Sequence, residues 1–188
     1  MARFSDDDFA QLQQEVDRDT AAPLGDLRRA AGERQNDSIS AWLGAGDTLA
    51  EKALAALDTG DEQRALALAG RIVALPEVDD GVRAGLMAVS LGLYNELIDP
   101  AFEQGDGGGL LEAPLRLLPE LDPRTADELR RVLAAMTDYD LPQSMRRRID
   151  AVVAPQRRRD APFAGVPEDE LPQAVLGVLR LILRLRSE

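Results

Sequence analysis

Apolar residues recur at spacings of three and four along most of the chain, while the apolar–polar alternation and β-branched enrichment of strands are never sustained. This pattern predicts an all-α, single-domain, bundle-like array of seven to nine helices built from αα-hairpins. Ser5 with Asp8 resembles a capping arrangement, and Phe9, Leu12 and Val16 then share one face of a first helix ending before Pro23. A short segment around Leu24, Leu27, Ala30 and Ala31 fades out by Asn36. The strongest helix of the first half runs from Ser38 to Asp58 and carries Ile39, Trp42, Leu43, Leu49, Ala50, Ala53, Leu54 and Leu57. Gly60 stops it. Asp61 then caps a partner helix with Leu66, Ala69, Ile72 and Val73 up to Pro76, and the short link forces the pair antiparallel.

A third long helix is expected from Asp80 to Ile98, with Val82, Leu86, Val89, Leu93 and Leu97 on one face and Met87, Leu91, Tyr94 and Ile98 widening it. The Gln104–Gly109 stretch is too glycine-rich to continue a helix and is expected to be a loop. Two prolines then announce helices: Pro123 ahead of Leu129, Val132, Leu133 and Met136, and Pro142 ahead of Met145, Ile149, Val152 and Val153. From Leu171 to Arg186 the last helix is apolar on nearly every side, with Arg180 and Arg184 as a narrow polar stripe. The expected organisation is a helical domain over 1–153, a Pro/Arg-rich linker over 154–167, and an apolar C-terminal helix over 168–188 that packs on the domain or on a partner.

The hairpin from Ser38 to Pro76 resembles a tetratricopeptide-type hairpin, with Gly60, Asp61, Ala65 and Pro76 near the family's turn glycine, acidic residue, packing alanine and closing proline. Pro76 comes one residue early, Ala53, Ala56 and Ile72 depart from the pattern, and no second copy follows at a period of about 34. The resemblance implies a scaffold for protein–protein interaction.

The chain has no histidine and no cysteine. Imidazole general bases, thiolate nucleophiles, zinc sites and haem ligation are therefore unavailable to it. Hydrophobic residues make up 45% of the chain but aromatics only 4%, so its core must be Leu, Ala, Val and Ile packed through small residues. A formal charge of −12 disfavours nucleic acid and anionic lipid as partners. Lys52 is the only lysine among 22 basic residues, which together with abundant Ala and Gly suggests a GC-rich bacterial genome. The start lacks a secretory h-region and no run of 18 apolar residues occurs, so a soluble cytoplasmic protein is expected.

Carboxylates cluster at Asp6–Asp8, at Glu77 with Asp79 and Asp80, at Asp138 with Asp140, and at Glu168–Glu170. All but the Asp138/Asp140 pair fall at predicted helix starts, where the macrodipole favours negative charge. Neither a doubled acidic metal motif nor a calcium-loop or P-loop template is met, so no metal or cofactor is expected. The candidate partner-binding residues are the arginine runs Arg146, Arg147, Arg148 and Arg157, Arg158, Arg159, and the apolar Leu176, Leu179, Ile182 and Leu183 of the last helix. At about 1.5 Å per residue that helix reaches roughly 24 Å, short of a hydrocarbon core of roughly 30 Å. The expected function is a non-catalytic, acidic helical interaction protein that engages a protein partner, a second copy of itself through the last helix, or both. The alternatives are an immunity or inhibitor protein against a basic toxin or nucleic-acid enzyme, and a carboxylate-based all-α enzyme.

Overall fold

The computed structural model describes residues 10, 13–18, 21, 37–79, 81–104 and 111–188. The expected Ser5/Asp8 cap, the short segment over Leu24–Ala31 and the glycine loop at 105–109 lie outside them. The fold is all-α, as the periodicity predicts: seven α-helices with named bounds, preceded by helical residues at 13–18. The chain forms two compact units, residues 1–88 and 89–188.

In the first unit α1 (Asp37–Asp58) and α2 (Glu62–Val73) form the expected antiparallel hairpin. Gly60 takes a left-handed φ of 79°, its N–H bonds the Leu57 carbonyl at 3.0 Å, and the Asp61 N–H reaches Ala56 at 2.8 Å. That pair of bonds is a Schellman stop. Asp61 at once caps α2, accepting from the Arg64 N–H at 3.1 Å, so one residue closes the first helix and opens the second. Leu49, Ala53 and Leu54 of α1 and Ala65, Leu68, Ala69 and Ile72 of α2 are buried, and Asp17 pairs with Arg71 across to the first helical stretch.

The next helix starts later than its apolar period suggests. Glu77–Asp79 (β1) pairs antiparallel with Val82–Arg83 (β2), and α3 runs over Ala84–Gln104. Asp80-Gly81 is a strong hairpin signal, and Gly81 supplies a φ of 84°. Val82, expected on the helix, is therefore a strand residue. The helix also continues through Pro100, beyond the stop expected there. Leu86, Val89, Leu93 and Leu97 are buried as expected, but Leu91 is 44% exposed.

Small residues let backbones approach closely in the first unit. A Cβ on Gly46 would sit 2.6 Å from that of Ala88, and one on Gly85 would fall against the Ile72 carbonyl. In the second unit α4 (Glu112–Leu117), α5 (Pro123–Met136), α6 (Gln143–Asp150) and α7 (Leu171–Arg186) surround a core of Leu93, Leu129, Leu133, Ile149, Val175 and Leu179. Val152 and Val153, expected on the helix with Met145 and Ile149, lie just past the end of α6 and are only half-buried. A Cβ on Gly177 of α7 would meet the Thr125 hydroxyl of α5, which brings these two helices together. Among the described residues no helix is long and apolar enough to cross a membrane.

Gly85→Ala is expected to lower stability by about 1–3 kcal/mol or more through overpacking. Gly70→Ala, with nothing within 4 Å of the new Cβ, is expected to raise it by about 0.5–1 kcal/mol. Urea unfolding of the two variants beside the parent checks both signs.

Candidate functional site

The best-organised polar cluster lies on α5. Asp122 caps that helix, accepting from the N–H groups of Arg124 at 3.1 Å and Thr125 at 3.2 Å, while Pro123 presets its first turn. Burial opposes charge on Asp122, but the Thr125 hydroxyl and the N–H groups of Thr125 and Arg124 outweigh it and hold the carboxyl below its ordinary range. The cap sets a face on which Arg124, Asp127, Glu128 and Arg131 follow at i, i+3, i+4 and i+7.

Glu128 is only 4% exposed. Its Oε1 accepts from the Ser90 hydroxyl of α3 and from Arg131, whose Nε lies at 3.0 Å, and its Oε2 accepts from the Phe163 N–H at 3.0 Å. One carboxylate thus ties α3, α5 and the segment before α7. Phe163 takes a left-handed φ of 57°, rare for a bulky residue, and its side chain is buried. The Ala164 N–H returns to the Ala161 carbonyl at 3.1 Å with Pro162 between, and the Val166 N–H to Phe163 at 3.2 Å with Gly165 at φ 75°. Both turns carry positive φ at their third residue, as type II turns require.

Between this loop and α5 lies a cleft of about 110 Å³ lined by Arg124, Asp127, Glu128, Arg131, Arg157 and Phe163 among others. Its charges are tied to one another and to the cleft's rim: Arg157 to Asp127 at 3.0 Å and Asp160 at 3.5 Å, Arg131 to Glu128, and Arg124 to Glu170. Both oxygens of the Glu128 carboxylate are engaged by in-chain donors. Among the described residues no group of three or more acidic side chains could hold a metal ion.

The candidate partner-binding residues are not gathered into one site. Residues 154–167, expected as a tether, hold a 3-10 turn over Pro155–Arg159 and the buried Phe163. There Arg157 joins the cleft and Arg158 pairs with Asp150 of α6. Arg146 donates to the Tyr139 carbonyl at 3.1 Å and Arg148 also has an in-chain partner. Arg147 and Arg159 are exposed, with no ion-pair partner among the described residues. Leu176, Leu179 and Ile182 are buried in the chain's own interior and Leu183 half-buried. Glu128 itself went unnoticed in the sequence, although it lies on the apolar stripe with Thr125, Leu129 and Val132, where a carboxylate is out of place. No protein-family model, curated protein or solved structure matches this chain.

Glu128→Ala leaves the half-buried Arg131 guanidinium and the Phe163 N–H without their acceptor and is expected to cost about 1–3 kcal/mol in urea unfolding. The Asp122 cap contributes about 1 kcal/mol. Because its carboxyl is depressed on folding, that contribution is complete above the unfolded value of 3.8 and disappears as pH falls through the folded one. The stability gap between parent and Asp122→Ala should therefore close on acidification.

Proposed function

We propose that this chain is a non-catalytic interaction protein whose acidic surface engages a basic partner protein. The burial of Leu176, Leu179 and Ile182 within their own chain carries this reading, because it leaves surface charge as the main means of recognition. A charge of −12 steers a cationic partner and speeds encounter at low salt. The mutual pairing of the charges around the α5 cleft supports a structural role for its carboxylates. The same charge favours a more specific form of this reading, an immunity or inhibitor protein that blocks a basic toxin or nucleic-acid enzyme.

Immobilised full-length protein is expected to retain one basic protein in near-stoichiometric amount at low salt and to release it as salt shortens the Debye length from about 10 Å toward 3 Å. Reconstitution from the two purified proteins should reproduce the complex. Retention indifferent to salt, or turnover of a substrate by the purified chain, would overturn the proposal. A dimer in light scattering that Leu183→Glu dissociates would instead place recognition on α7.

A further inference from the structure

The turn after α5 holds carboxylates that make no capping bond to the helix on either side. Asp138, Tyr139 and Asp140 follow the C-terminus of α5, where the N–H groups of Thr137, Asp138 and Tyr139 return to Ala134, Ala135 and Met136 at 3.1–3.2 Å. Negative charge at this end opposes the macrodipole. Asp138 and Asp140 are exposed, and among the described residues neither has an ion-pair partner. Asp140 stands two residues before Pro142, the cap of α6, so of the pair it is Asp138 that the helix ends do not account for.

Between them Tyr139 is 56% exposed. Its ring lies 6.0 Å from that of Tyr94, tilted by 45°. Burial pushes the Tyr94 hydroxyl well above its ordinary range, helped by Tyr139 and by the charge of Asp138, so it stays neutral behind the outer ring. Leu91, among the described residues the other large exposed hydrophobic, lies one helical turn before Tyr94 on α3. The two rings thus lie together beside Asp138, with Leu91 exposed one turn along α3 from Tyr94. A guanidinium satisfies ring and carboxylate alike, since it stacks on tyrosine and pairs in plane with carboxylate. One guanidinium already reaches this turn: Arg146 donates to the Tyr139 carbonyl at 3.1 Å.

We infer that the Asp138–Tyr139–Asp140 turn, with Tyr94 and Leu91 beside it, is the docking point for an arginine side chain of a partner protein. This deepens the reading of the chain as an interaction protein and rests on it. Titration of the full chain with a hexa-arginine peptide, followed through the tyrosine ring resonances, tests it against hexa-lysine and a neutral peptide of equal length. The rings should shift saturably, with arginine the tightest ligand. Tyr139→Ala should weaken binding by about tenfold, while Tyr139→Phe retains it. Asp138→Asn should also weaken binding yet leave the thermal midpoint unchanged or raised, because repulsion with the end of α5 is relieved. Absence of saturable binding, equal binding by the Tyr139→Ala protein, or a lowered midpoint in the Asp138→Asn protein would overturn the assignment. A natural partner held equally well by parent and Tyr139→Ala protein would also overturn it, leaving the interaction reading intact.

Discussion

A carboxylate withdrawn from water is costly unless donors surround it, and the second unit is arranged around one such group, Glu128. Its donors come from three places far apart in sequence: Ser90 on α3, Arg131 one turn along α5, and the backbone of Phe163. Each element is thereby held relative to the others by directional bonds, which aliphatic contacts alone do not supply. The left-handed Phe163 is intelligible in these terms. Its N–H must face the carboxylate while its ring enters the core, and the positive φ satisfies both.

Packing elsewhere follows from composition. With few aromatic rings to fill space, helices meet through glycine and alanine in the first unit, at Gly46, Gly85 and Ala88. Leucine and valine fill the second, where Gly177 lets α7 lie against α5. Close backbone approach compensates for small side chains by adding dispersion contacts along the whole crossing.

The arginine-rich stretches illustrate how a charge run changes meaning once folded. Arg157 and Arg158 hold the segment before α7 against Asp127, Asp160 and Asp150, so cations that read as a partner surface largely brace the chain internally. Exposed ion pairs of this kind contribute little individually. Their effect is to align the loop whose buried end is Phe163.

Much of the fold was legible because it depends on local rules. The helical period, the Gly60 stop, the Asp61 cap and the start at Pro123 are properties of a few neighbouring residues, and each lies where the residues indicate. The β1–β2 hairpin was equally local, signalled by the Asp80-Gly81 dipeptide in the sequence, and was obscured by the apolar period running into α3. By contrast, the buried role of Glu128, the structured stretch at 155–166 and the exposure of Leu91 and Tyr139 depend on residues dozens of positions apart. Asp138 could be singled out by its place just past the end of a helix, but its neighbour Tyr94 could not. A side chain's period along its own helix says which residues share a face; only the tertiary arrangement decides which face meets a neighbour and which meets water.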